Sequence, residues 1–267
     1  MRFLPADPRY WQLTMLTGLL LYGVTQLDFT IAPVNAAIIV AVAQLTQVAG
    51  SRLRGVPFDP KSALISSLSL CILLRTNEPW IAALGSFVAI ASKFAIRWNG
   101  KHVFNPTNLA LVAMIATDHA WVSPGQWGNA AFLAFLFGCI GGLVVYRAER
   151  SDVTVAFFTF YAALLFGRSL WLGEPLTIPL HRMESGALLL FGFFMISDPR
   201  TTPDHRVARV LFAGLVAFGA WYIQFRLFRT NGLLWSLVLV SALTPLLDAI
   251  FRGRRYQWPT LPLWRTA

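Results

Sequence analysis

The residues best suited to chemistry lie in one stretch, Trp98-Asn99-Gly100-Lys101-His102-Val103-Phe104-Asn105-Pro106-Thr107-Asn108, set between two long apolar runs. Lys101, His102 and three asparagines are costly there unless each meets a partner or a ligand. An unpaired polar group in hydrocarbon loses on the order of several kcal/mol. Asn105-Pro106 reads as a helix start, because proline tolerates the first turn and asparagine caps it. The stretch is expected to open a broken membrane helix whose free N–H groups face a buried polar site. The plainer alternative is a loop between two spans, with a capping asparagine and basic residues that fix topology.

A second polar break reads Phe194-Met195-Ile196-Ser197-Asp198-Pro199-Arg200-Thr201-Thr202-Pro203, followed by Asp204, His205 and Arg206. Asp198-Pro199 should end a helix, since the residue before proline disfavours the helical region. Asp198 and Thr201 then lie on the same membrane side as Lys101, where a carboxylate and hydroxyls orient a polar ring system. The alternative for Asp198 is a pair with a nearby arginine, or a cap.

The elements that carry these breaks are apolar. The chain of 267 residues is 56% hydrophobic and 13% charged, which reads as an all-α integral membrane protein. A net charge of +10 would suit nucleic acid, yet the cations fall between apolar runs rather than along one face. That placement excludes nucleic acid and makes the lipid bilayer the first partner. The ten tryptophans, many near the ends of runs, fit interfacial belts. Cys71 and Cys139 sit inside apolar runs, and His102, His119, His181 and His205 have no metal-ligand spacing, so neither a metal nor a redox thiol is expected. Arg2 and Arg9 precede the first run, which reads as an uncleaved span rather than a signal peptide.

Ten apolar segments follow: Tyr10–Gln26, Ala32–Gly50, Ser62–Leu74, Pro79–Ile96, Pro106–Thr117, Trp127–Tyr146, Val153–Trp171, Ser185–Ser197, Val210–Phe225 and Leu233–Ile250. The third, fifth and eighth are too short to cross about 30 Å of hydrocarbon as plain helices. Broken or short spans belong where backbone lines a cavity. If all ten cross, 17 Lys and Arg fall on the side of the N-terminus and 5 on the other, which puts both termini in the cytoplasm of a bacterial inner membrane. Ser62-Ala63-Leu64 and Ser185-Gly186-Ala187 are offset by 123 residues, as are Thr107-Asn108-Leu109 and Thr230-Asn231-Gly232. Five spans per half make the second half an inverted copy of the first, residues 1–120 and 121–267, with the functional site at their interface. Asn108 and its repeat mate Asn231 should then meet near the midplane.

Other polar groups have simpler expectations. Lys93 and Arg97 share one face of the fourth span and should snorkel to the interface, an anion or phosphate contact being the alternative. Asp248 should pair with Arg252 one turn on.

Gly100-Lys101-His102-Val103-Phe104-Asn105-Pro106 resembles the GK…FNP signature of the RnfD and NqrB family of membrane subunits, and Phe194–Thr201 is similar to that family's FM-x-T-D-P-x-T signature. The resemblance implies a ten-span inverted repeat, similar in fold to urea and ammonium channels. It also implies membrane-bound flavin and one-electron transfer in a multi-subunit oxidoreductase. One departure bears on the cofactor: the S/T-G-A-T motif that carries a covalent flavin phosphodiester in the family is absent. The loop Trp121-Val122-Ser123-Pro124-Gly125-Gln126-Trp127-Gly128 is similar instead to a stand-alone, RnfD-like branch, some of whose members occur in enediyne gene clusters. The implied cofactor is a non-covalent flavin, FMN or riboflavin. Its pyrimidine edge would meet Asn105, Thr107 and Asn108, with Lys101, His102, Asp198, Thr201 and Asn231 completing the site. Phe104 or Trp98 either stacks on the ring or serves as plain packing.

Three functions stay open on these grounds: a redox protein that passes electrons to or from partner subunits, a channel or transporter for a small solute, and a membrane scaffold for a soluble enzyme. Fold does not choose among them.

Overall fold

The computed structural model describes residues 7–26, 31–123 and 140–257, most of them in helices. In chain order these are α1 (Pro8–Gln26), α2 (Pro33–Arg54), α3 (Pro60–Leu73), α4 (Pro79–Ala95), α5 (Pro106–Ile115), α6 (residues 140–147), α7 (Ser151–Leu172), α8 (Thr177–Met183), α9 (Gly186–Leu190), α10 (Arg206–Phe225), α11 (Gly232–Ser241) and α12 (Thr244–Ile250). Proline opens α2, α3, α4, α5 and α12, where its missing N–H is one the helix leaves unpaired anyway. Asp59 caps α3 by accepting the Ser62 N–H, and Asn105 caps α5 by accepting the Asn108 N–H at 3.0 Å.

Among the described residues, three helices are long and apolar enough to cross a membrane: α2, α7 and α10. At 22 residues, α2 and α7 each reach about 33 Å. A fourth crossing arises if α11 and α12, bent by 47° at a short break, count as one span. The third, fifth and eighth segments are short, as expected: α3 has 14 residues, α5 has 10, and α9 runs for 5 before a π-helical turn from Phe191 to Met195. The break in the tenth segment was not expected, and Pro245 near the start of α12 accounts for it. The sixth segment is described only as α6, and the remainder of it, with most of the Trp121–Gly128 loop, lies outside the described residues.

Two small ribbons were also not expected. β1 (Leu74–Arg75) pairs with β4 (Trp121–Val122), and β2 (Arg97–Trp98) pairs with β3 (Lys101–His102), both antiparallel. The turn of the second ribbon is Asn99-Gly100, with φ of 47° and 79°. Both residues are left-handed, the arrangement for which Asn-Gly is the preferred hairpin pair. The polar stretch after α4 is therefore a hairpin, and the helix start follows it at Pro106.

Packing divides into two groups. α2 lies on α3 and α4, and α4 on α5; α7 lies on α10, and α10 on α11. α5 and α11 touch, joining the groups. Hydroxyls stitch the pairs: Ser86 of α4 donates to the Ile39 carbonyl of α2 at 2.6 Å, Ser236 of α11 to Val216 of α10 at 2.8 Å, and Thr154 of α7 to Gly192 at 2.9 Å. Helices in lipid lack a hydrophobic drive toward each other, so such bonds and close small-residue contacts hold them. Gly232 makes a tight contact of this kind across α10 and α11, since an added Cβ would sit 2.7 Å from the Ala220 carbonyl oxygen. Gly232→Ala should cost about 1–3 kcal/mol by pushing α11 off α10, read as a lower thermal midpoint in detergent; an unchanged midpoint would mean the pair is looser than described.

Candidate functional site

The hairpin sorts its side chains by the period of two. Cross-strand partners share a face, so Arg97 and His102 go one way and Trp98 and Lys101 the other. Arg97 and His102 line a cavity of about 290 Å³ between the two helix groups. Trp98 and Lys101 line a smaller one of about 170 Å³, which His102 also borders.

The larger cavity collects residues from distant parts of the chain. α2 supplies Gln47, the start of α3 supplies Ser62 and Ser66, α4 supplies Lys93, and the head of α5 supplies Asn105 and Thr107. Met195, Ser197, Asp198 and Arg200 come from the turn after α9. Asn105 is the hinge of the arrangement. Its carbonyl oxygen caps α5, while its amide nitrogen donates to the Met195 carbonyl at 3.3 Å and to Asp198 Oδ2 at 3.4 Å. Asp198 Oδ1 accepts the Arg200 N–H at 3.0 Å, an Asx turn that holds the break open. The same turn is closed behind by Thr201 and Thr202, whose hydroxyls donate to the Asp198 carbonyl, and by the buried Arg150, which donates to Thr202 Oγ1 at 2.9 Å.

Charge in this cavity is uneven. Lys93, Arg97 and Arg200 line it, against Asp198 and the Arg9-paired Asp59. Burial raises Asp198 above the usual carboxylate range, and the Arg200 N–H bond and charge oppose the rise only in part. Burial lowers His102 to about 3, helped by repulsion from Arg200, Arg97 and Lys93, so its ring is neutral at pH 7. Three buried polar atoms on the walls have no partner among the described residues: Gln47 Oε1, Arg97 Nε and His102 Nδ1. Orphaned buried groups of this kind are rare in folded proteins and mark places where a ligand or water completes the bonding.

Of the residues expected to form the site, His102, Asn105, Thr107 and Asp198 meet in this cavity. Four others do not line it. Lys101 points into the smaller cavity, where Nζ bridges Asp204 at 3.0 Å and Asp248 at 2.6 Å. Thr201 is buried behind the Asp198 turn. Asn108, 1% exposed, donates to the Leu234 carbonyl on the first turn of α11. Asn231 begins that turn with φ of 59°, so the expected Asn108–Asn231 approach becomes a bond from Asn108 to the backbone beyond Asn231. Two further expectations are corrected. Asp248 pairs with Lys101 and the Asp204 N–H, not with Arg252, because the hairpin brings Lys101 across the seam. Lys93 does not snorkel: it is 6% exposed, with Nζ bonded to the carbonyl and hydroxyl of Ser62 at 2.9 and 3.0 Å. Gln47 and Arg200 were not anticipated as wall residues. A glutamine inside an apolar run was the available signal for the first.

The NQR2, RnfD, RnfE family model matches residues 118–257, which include the second polar break. The D subunit of the ion-translocating oxidoreductase complex of Halorhodospira halophila is 25% identical over 310 aligned positions, covering 90% of this chain and 86% of the relative. The proteins of the same name from Erwinia tasmaniensis and Sodalis glossinidius are 32% and 31% identical over 136 and 157 positions. Those alignments take in 49% and 56% of this chain and only 36% and 43% of the relatives, so the match to them spans less than half their length.

Lys101 offers a direct check on this geometry. Removing its charge strands two mostly buried carboxylates, which costs about 3 kcal/mol, the lower end for such pairs. Lys101→Met should therefore lower the thermal midpoint more than Asp248→Asn, which keeps an acceptor for the Asp204 N–H. Equal midpoints for both variants and the parent would show that the triad does not tie the groups together.

Proposed function

The chain belongs to the NQR2, RnfD, RnfE family, and from that premise we propose that it is a membrane electron-transport protein of the RnfD type whose larger cavity holds a flavin without a covalent link. The observation that carries the site is the set of orphaned atoms, Gln47 Oε1, Arg97 Nε and His102 Nδ1, around a cavity of about 290 Å³. That volume is near the lower end of ligand pockets, roughly 300–1,000 Å³. Those atoms fit a planar ring with a hydrogen-bonding edge and an apolar end, since Phe193, Phe194 and Ile65 line the same space. A bound flavin supplies electron transfer in steps of one or two.

The chain's own residues supply binding and electrostatics. Gln47 and neutral His102 offer bonds to a ring edge, and Thr107 lies beside them. Asn105, fixed by three bonds of its own, holds the head of α5 and the Asp198 turn in register rather than reaching into the cavity. The surplus of cations favours negative charge on the bound group and so its reduced state. Lys101, Asn108, Thr201 and Asn231 act on the site through the backbone they hold.

The same reading extends to the architecture. Residues 1–120 and 121–267 form two inverted repeats of five segments in the inner membrane, with both termini on the cytoplasmic side. Support comes from the matching contacts in the two groups, α2 on α4 with α7 on α10 and α4 on α5 with α10 on α11, and from the α5–α11 contact between them. The bias of 17 cations against 5 supports the orientation. The relatives are named as subunits of an ion-translocating oxidoreductase complex, and redox subunits of that kind would deliver and remove the electrons.

Asn105→Leu and Asp198→Leu should each lower the flavin-to-protein ratio of the purified protein several-fold, measured by visible absorbance, and denaturation should release all the flavin from the parent. A ratio unchanged in both variants would remove the site. Flavin that stays with the denatured chain would contradict the non-covalent link.

A further inference from the structure

We propose that the strap after α12, residues 251–256, is a lid over the smaller cavity, which lifts to admit water and small solutes to Lys101, Asp204 and Asp248. The lid is independent of what the larger cavity holds.

The smaller cavity, of about 170 Å³, takes one wall from the hairpin and another from Asp204 and α12. Arg255 is the strap residue that lines it. One nitrogen of its guanidinium lies over the turn of the hairpin, 3.6 Å from where a Cβ on Gly100 would stand. The strap is pinned on both sides of that point. Before it, Phe251 stacks on His205 with ring centroids 5.9 Å apart. Gly253 sits so close to the backbone between Asp204 and His205 that an added Cβ would be 2.6 Å from it. After it, Tyr256 is 9% exposed, with the Arg150 guanidinium 5.3 Å from its ring centroid and Asp7 and Arg9 in electrostatic reach. The strap therefore touches both halves of the chain where Lys101 joins them.

Two features make the strap a lid rather than a fixed wall. Residues 252–255 are exposed and make no backbone hydrogen bond among the described residues. A segment held by side chains at its ends, with its backbone in solvent, opens without the rest of the fold. Charge also works against closure. Burial, and then repulsion from Arg200, Arg54 and Arg255, lowers the proton affinity of Arg97, so Arg255 closes against like charge. The two acids of the smaller cavity do not hold it, because Lys101 takes Asp204 at 3.0 Å and Asp248 at 2.6 Å. The space beneath is built to gain from solvent. Thr244 Oγ1 lines it without a partner among the described residues, on a residue 2% exposed. Ion pairs weaken as water raises the local dielectric. A closed strap keeps the Lys101 pairs strong, and a lifted one wets them and loosens the seam.

The test is thiol accessibility on the full-length protein in neutral detergent. Thr244→Cys is the reporter, in a chain carrying Cys71→Ser and Cys139→Ser, and the readout is its rate of reaction with methyl methanethiosulfonate, a small neutral reagent. Gly253→Ala and Tyr256→Ala free opposite ends of the strap without changing charge. Each should raise the rate at least about tenfold, as expected when a local opening becomes easier. A second reporter, Ala217→Cys in the core of α10, should stay slow with either strap variant, which shows that the bundle is intact. A Thr244→Cys rate that neither variant changes would overturn the lid. So would a rise at Ala217→Cys equal to that at Thr244→Cys, because the opening would then be global. Trypsin gives a check that needs no reporter: cleavage after Arg252, Arg254 or Arg255 should be faster in Gly253→Ala than in the parent. Equal cleavage rates would show that Gly253 does not hold the strap down and would overturn the proposal.

Discussion

A polar group within the thickness of a bilayer must find its partner inside the protein, and that constraint shapes every part of this chain that is not plain helix. Asn105 meets it most fully. One oxygen satisfies the orphan N–H at the head of α5, and one nitrogen satisfies the carbonyl and carboxylate exposed where α9 stops. Two helix ends that would each be costly alone are thereby bonded to each other. Asn108 repeats the device one turn further on with the Leu234 carbonyl, and Lys101 does so with charge. These bonds run from the first half of the chain to the second, so polar contacts tie the two halves together across the seam.

The cavity is a consequence of that seam. Short helices end there on both sides, and the π-helical turn from Phe191 to Met195 puts Phe193, Phe194 and Met195 on the cavity wall. The hairpin then decides which charges face it. Because side chains alternate along a strand, the basic stretch is split into a pair that lines the cavity, Arg97 and His102, and a pair that does not, Trp98 and Lys101. Adjacent residues thus serve different ends: Lys101 locks the seam, and His102 stays neutral beside it.

Much of this was legible before any coordinates. Composition and the placement of cations made a helical membrane protein evident, the two motifs pointed to the family, and Asn105-Pro106 announced a capped helix that is present. The short third, fifth and eighth segments were visible from length alone. What was missed has physical reasons. Asn99-Gly100 is a strong hairpin signal, but inside an apolar chain it was read as part of a broken helix, and the alternation that separates Lys101 from His102 went with it. Asp248 has Arg252 one turn away, and no local rule shows that a residue 147 positions distant competes better. Lys93 looked like an interfacial lysine because sequence does not show that Ser62 lies beside it. Gln47 and Arg200 join the cavity only because folding brings α2 and the turn after α9 to the same space.

Everything proposed for this chain depends on the cation-lined cavity at the seam being the place where a flavin is held. The most direct measurement is a cryo-electron microscopy map of the protein in nanodiscs after loading with FMN. Planar density is expected between the hairpin and the Asp198 turn, within hydrogen-bond distance of Gln47 or His102. A cavity filled by lipid or collapsed side chains, with flavin density elsewhere on the protein, would contradict it.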